Sequence, residues 1–183
     1  MTESSKKPVM KYIGAIIMVG ILVILDQVTK YFAITKLKGK DPFVIIDGVF
    51  ELHYLENRGM AFGMLENKQI VFLILGIVIL AAIVFYYIRV PNTKRMMPMR
   101  SVMIVIAAGA IGNMIDRLVL SYVVDFFYFK LIDFPVFNVA DIYVVVGIFL
   151  LAFLVFFLYK EEELDFIFGE ADKKEKIVDK NME

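Results

Sequence analysis

Residues 112–147, "GNMIDRLVLSYVVDFFYFKLIDFPVFNVADIYVVVG", hold the pattern from which the fold can be read. The stretch begins inside one apolar run, leaves it near Leu120, crosses an aromatic connection and enters a second apolar run after Asp141. Each run is long enough to cross a hydrocarbon core, which takes a helix of about 20 residues. The connection, Ser121 to Phe137, is too apolar for a solvated loop and is expected at the membrane–water interface, where aromatic side chains gather. Yet Asp125, Asp133 and Asp141 fall here, although a carboxylate at the centre of a membrane helix costs roughly 2.5–3.5 kcal/mol. What these acids do is the functional question.

The rest of the chain agrees with a membrane protein. Its 183 residues are 60% hydrophobic, against ~45–50% for a soluble domain. A net charge of zero argues against a nucleic-acid partner, which needs a basic surplus on one face. The absence of cysteine removes disulfides, thiolate catalysis and thiolate-ligated metals together, and the single histidine, His53, is poor ligand stock for zinc. No metal and no cofactor are expected.

Four membrane helices are expected, near residues 12–33, 70–89, 101–120 and 140–159. The first apolar run is short enough to suggest a signal peptide, but no small-residue cleavage site follows and "DQVTKYFAI" continues with helical spacing, so one helix carrying Asp26 at its outer end is expected. Basic residues set the orientation. Lys6, Lys7 and Lys11 precede the first helix, Arg89, Lys94, Arg95 and Arg100 surround the second connection, and Lys160 follows the last helix. Both termini are therefore expected inside, with the first and third connections outside. In the first, Asp47-Gly48 reads as a hairpin turn within a β-ribbon near 42–63, with Phe50, Leu52 and Tyr54 on an apolar face and Glu51 and His53 on a polar one. The expected architecture is an all-α four-helix membrane bundle, a single domain over 1–160 with this small ribbon at the outer surface, followed by a charged cytoplasmic tail over 161–183.

Elimination leaves carboxylates as the chemistry. His53 in "ELHYLEN" lacks the H-E-x-x-H spacing of zinc peptidases, and neither Ser101 nor Ser121 lies in a nucleophile-elbow context. Asn113, Asp116 and Arg117 share one helix face; Asp116 and Arg117 read first as a packing and orienting network among helices, with contact to a substrate carbonyl as the alternative for Arg117. Asn138 and Asp141 have the spacing of a helix capping box, which is the plain alternative to a catalytic role for Asp141. Asp125 has no such structural explanation, and a carboxyl in apolar surroundings holds its proton toward neutrality. Together Asp125 and Asp141 suit general acid–base work with a water between them, one protonated and one ionised. Asp133, beside Lys130, reads as a solvated loop charge, and Asp26 with Lys30 as a surface ion pair. Asn57 and Gly59 in "ENRGMAFG" could meet an extended substrate backbone or simply end the hairpin.

The motifs "LDQVTK", "ENRGMAFG", "GNMIDR", "VVDFF" and "FNVADIYVVVG", in this order, make the chain resemble the lipoprotein signal peptidases, or signal peptidase II. The resemblance covers nearly everything from Tyr12 to Tyr159. It implies an aspartic endopeptidase of the bacterial cytoplasmic membrane, acting as a monomer near the outer face and sensitive to globomycin-type inhibitors. Its substrate would be a diacylglyceryl-modified prolipoprotein, cut immediately before the lipidated cysteine. It also implies that Asp125 and Asp141 form the catalytic dyad, with Asp26, Asn57, Gly59, Asn113, Asp116, Arg117 and Asn138 supporting the site or binding substrate. Met60 stands where the family commonly has alanine, and "DFPVF" lacks the His-Trp pair often found before the proline. Rival classes are a small transporter using its acids as a proton relay, and a non-enzymatic factor that binds membrane helices.

Overall fold

The computed structural model describes residues 6–59 and 69–165, with side chains from Met10 onward in the first helix. Met60 to Gly63 of the "ENRGMAFG" motif, and the tail after Asp165, lie outside the described residues. The elements run α1 (Lys6–Leu37), β1 (Phe43–Ile46), β2 (Phe50–Asn57), α2 (Gln69–Arg89), α3 (Met97–Leu120), β3 (Val123–Tyr128) and α4 (Val139–Phe153). A π-helical turn, Leu154–Leu158, extends α4. The four helices are long and apolar enough to span a membrane.

α1 is longer than expected. Its 32 residues rise about 48 Å, well past a hydrocarbon core of ~30 Å. Asp26 is therefore not at the outer end but eleven residues before Leu37, roughly 16 Å along the axis. α3 begins at Met97, with a proline in its first turn, where a missing N–H costs nothing.

α3 is the central post. It carries eight buried residues, whereas α2 carries none, its apolar side chains being half-buried or exposed. α1, α2 and α4 all pack on α3, and glycines allow the closest approach. A Cβ on Gly109 would lie 2.5 Å from the carbonyl oxygen of Ala140, and one on Gly112 would lie 2.5 Å from Asp26 Oδ2. Gly112→Ala is accordingly expected to destabilise the protein by about 1–3 kcal/mol, the usual cost of overpacking. Thermal melting in detergent beside a mid-helix control such as Gly14→Ala, where a Cβ meets nothing within 4 Å, would check this.

The hairpin forms where expected. Gly48 takes φ +68°, a left-handed conformation that glycine adopts without strain, and β1 pairs antiparallel with β2. The ribbon is larger than the sequence suggests, because β3, from the aromatic connection, adds a third antiparallel strand in the order β1-β2-β3. The expected polar face is also corrected. Glu51 is buried and paired with Lys130 at 3.3 Å, while His53 stays exposed against the edge of Tyr128.

Two apolar clusters form around the bundle. One gathers Met96, Met99, Met103, Leu154 and Tyr159 at the end bearing the α2–α3 turn. The other gathers Ala33, Val124 and Phe126 beneath the sheet. Polar side chains of α1, α3 and the start of α4 fill the level between them.

Candidate active site

The polar level is organised by Lys30. Its ammonium lies 2.9 Å from Asp26 Oδ2 and 3.0 Å from Asp116 Oδ2, and donates to Asn113 Oδ1 at 2.9 Å. All three charged groups are buried, so the expected surface pair of Asp26 and Lys30 is in fact an interior one. The i,i+4 spacing is as read, but this face of α1 turns toward α3, whose Asp116 and Asn113 complete the ammonium's partners. A buried charge persists only when paired and hydrogen-bonded in this way. Gln27 Nε2 adds donations to Asp116 Oδ1 at 2.9 Å and to the Gly112 carbonyl at 3.3 Å.

Both carboxylates also hold backbone. Asp116 Oδ2 accepts the N–H of Val124 at 3.1 Å, and Asp26 Oδ1 accepts the N–H of Ala140 at 2.9 Å. Val124 immediately precedes Asp125, and Ala140 immediately precedes Asp141. One buried cation is thus shared by the two carboxylates from which both candidate acids are hung.

Asp125 projects from β3 and is 1% exposed. Its Oδ2 accepts from Asn57 Nδ2 at 2.8 Å and its Oδ1 from Asn138 Nδ2 at 2.6 Å. Asn57 is turned for this by the Gly59 N–H, which donates to its Oδ1 at 3.0 Å. Asp141 sits in the first turn of α4, where the capping box is present as read. Asn138 Oδ1 accepts the Asp141 N–H at 2.9 Å, and Asp141 Oδ2 accepts the Asn138 N–H at 3.1 Å. Capping does not exhaust Asp141, because its Oδ1 accepts from Asn113 Nδ2 at 2.7 Å. The orientations of the Asn57, Asn113 and Asn138 amides follow from a partner that can only donate, either a backbone N–H or the Lys30 ammonium, and that of Gln27 from the Gly112 carbonyl, which can only accept. Asn138 therefore bridges the acids, holding Asp125 with its nitrogen and the Asp141 backbone with its oxygen. Burial, and next the charge of Asp141, raise the Asp125 carboxyl to about 7, against the downward pull of its two amide donors.

Arg117 borders the pair. Its Nη1 donates to the Asn113 carbonyl at 3.1 Å, its guanidinium lies 4.9 Å from the Phe72 ring centroid, and its Nε meets no acceptor among the described residues. Asp133 is apart from this group: it is exposed and accepts from Tyr128 Oη at 2.6 Å. Asp26, Asn57, Gly59, Asn113, Asp116, Arg117 and Asn138 thus join Asp125 and Asp141 in one contiguous network. Lys30, read from the sequence as a surface partner of Asp26, and Gln27, not singled out there, also belong to it. Their signal was present in "LDQVTK", since residues one and four positions after Asp26 lie on or beside its helix face.

The geometry has counterparts among known proteins. The family model described as signal peptidase (SPase) II matches residues 18–157. A lipoprotein signal peptidase of Caldanaerobacter subterraneus is 43% identical over 144 residues, covering 78% of this chain and 96% of the relative. One from Clostridioides difficile is 44% identical over 146 residues, covering 78% and 95%. A solved bacterial membrane enzyme, determined by the in meso method at 2.3 Å, superposes with a TM-score of 0.70 at 35% identity, covering 78% of this chain and 87% of the other. Sequence match and overall superposition agree across these comparisons, and the chain is a multi-pass membrane peptidase that belongs to the signal peptidase II family, the lipoprotein signal peptidases.

Proposed function

We propose that this lipoprotein signal peptidase is an aspartic endopeptidase, with Asp125 and Asp141 as its dyad, that cuts a diacylglyceryl-modified prolipoprotein immediately before the lipidated cysteine. The observation that carries this reading is the Asn138 bridge, which ties two buried carboxylates from different elements to one amide. A transporter's proton relay would instead string its acids through the bundle; here the pair meets where β3 and the first turn of α4 come together.

The pair shares one proton, assigned to Asp125, with the charge on Asp141, where the N-terminus of α4 favours an anion. Asp141 takes a proton from water, whose oxygen attacks the scissile carbonyl carbon, while Asp125 gives its proton to the carbonyl oxygen. Collapse of the tetrahedral intermediate breaks the C–N bond, the departing nitrogen takes the proton held by Asp141, and Asp125 regains its own. Arg117, with an unengaged Nε, is placed to hold a substrate carbonyl. Basic residues at the α2–α3 turn support an orientation with that end and both termini in the cytoplasm and the dyad toward the outer face of the bacterial cytoplasmic membrane. There a substrate with acyl chains in the outer leaflet presents its cleavage site. Globomycin-type inhibitors would occupy the same position.

The sign of the pH dependence follows. Asp125 must be protonated to act as the acid, so kcat/KM should fall as pH rises through about 7, approaching about tenfold per pH unit beyond it. A profile flat from pH 6 to 9 would remove Asp125 as the general acid. The proposal as a whole is tested by incubating purified protein with a prolipoprotein before and after diacylglyceryl transfer, with and without globomycin. Mass spectrometry should find cleavage only of the lipidated form, immediately before its cysteine, and inhibition by globomycin. Equal cleavage of the unlipidated form, or a cut elsewhere, would overturn it.

A further inference from the structure

Away from the dyad, α1 and α2 both lean on α3 yet scarcely touch each other. The cleft between them has a volume of about 570 Å³, within the ~300–1,000 Å³ of small-molecule sites. Val19 on α1, Ile83 and Val84 on α2, and Ala107 and Ile111 on α3 line it, and Tyr12 with Tyr87 closes the end farthest from the acids. Its wall is almost wholly hydrocarbon. Tyr12 precedes Asp26 by fourteen residues of one helix, about 21 Å, so the Tyr12–Tyr87 end of the cleft points away from the dyad, while Ile111, two residues before Asn113, marks its other end.

The mouth is chemically different. Lys11 donates to the Val90 carbonyl at 3.1 Å and stands 5.4 Å and 5.2 Å from the ring centroids of Tyr12 and Tyr87. Arg100 donates to Asn92 Oδ1 on the same turn, and Arg89 ends α2 beside it. None of these three cations has a carboxylate partner among the described residues, whereas Arg95 on the same turn pairs with Glu163. An apolar slot capped by cations that have no carboxylate partner among the described residues matches an acyl chain under an anionic headgroup.

We propose that this cleft is a binding site for an anionic phospholipid, with one acyl chain between α1 and α2 and the phosphate on Lys11 and Arg100. α2 has no buried residue of its own, so the lipid would supply packing that the protein lacks and brace α2 against α1. The site is separate from the dyad and does not depend on the chemistry assigned to it.

The test uses the full chain, delipidated in mild detergent and returned to phosphatidylglycerol or phosphatidylcholine of identical acyl composition. Native mass spectrometry should show about tenfold tighter retention of phosphatidylglycerol, and Lys11→Gln/Arg100→Gln should abolish that preference. Ala107→Phe, which fills the floor of the cleft, should weaken retention of both lipids. A phosphatidylglycerol carrying a photoreactive acyl chain should label peptides containing Ile83 or Ile111. Equal retention of the two lipids by the wild type, a preference that survives the double substitution, or labelling confined to other faces would overturn the proposal. So would displacement of the labelled lipid by globomycin, which would assign the cleft to the substrate. Each readout is made on the folded protein by mass, so a variant that does not fold is replaced by its single substitutions.

Discussion

Asp125→Asn is expected to reduce prolipoprotein cleavage by about 10³-fold or more, with most of the loss in kcat, because the amide has no acidic proton to give and no charge to recover. Size is preserved, so the effect on folding should be small by comparison. Asn57 and Asn138 both donate to Asp125, and an amide accepts from only one of them in good geometry. One buried donor is then left unpaired, which costs roughly 1–3 kcal/mol. The variant should therefore melt somewhat lower, yet still bind substrate and a globomycin-type inhibitor. Asp133→Asn is the matched control: that carboxylate is exposed and, among the described residues, bonded only to Tyr128, and its loss should leave turnover within about twofold, as surface changes usually do. Undiminished turnover in Asp125→Asn, or a collapse in Asp133→Asn, would move the chemistry to a different acid.

The second large effect is one of stability. Lys30→Met is expected to destabilise the protein by about 3–5 kcal/mol, because it leaves Asp26 and Asp116 buried without their cation. The consequence should reach the dyad even in any fraction that folds, since those carboxylates hold the N–H groups of Ala140 and Val124. Adding Asp116→Asn should recover part of the stability by removing one orphaned charge, a non-additive pairing expected of groups in contact. It should recover little of the activity. Melting of Lys30→Met at the wild-type temperature would show that the ion cluster does not hold the bundle together. The two predictions are distinguishable, because the Asp125 change spares the fold while stopping the reaction and the Lys30 change weakens both.

What could be read in the sequence depended on whether a residue's partners were nearby in the chain. The Asp47-Gly48 turn and the Asn138–Asp141 capping box are local patterns, and both form as expected. β3 was missed as a strand because its partner is β2, about seventy residues earlier, and "VVDFFY" reads equally well as an interfacial aromatic run. The same distance hid the place of Asn57, whose partner Asp125 is 68 positions away. Lys30 was misread for a different reason. On a soluble helix the apolar face shows which way a charged pair points, but α1 is apolar nearly all round, so nothing local distinguishes a lysine facing water from one facing α3. Asp125 and Asp141 stand out as candidates because an acid in an apolar context needs a reason to be there, and a capping role supplies only half of one.

The pairing of Asp26 with Lys30 on one helix also bears on biogenesis. α1 leaves the ribosome before α3 has been made, and a lone charge entering lipid carries a penalty of roughly 2.5–3.5 kcal/mol. One helical turn separates the two groups, so they cancel each other, and the apolar span of α1 between Lys11 and Lys36, which holds no other charge, can be inserted without a net charge. Asp116 arrives later on α3 and finds the ammonium already waiting, which makes the cation cluster a register mark for assembling the later helices on the first.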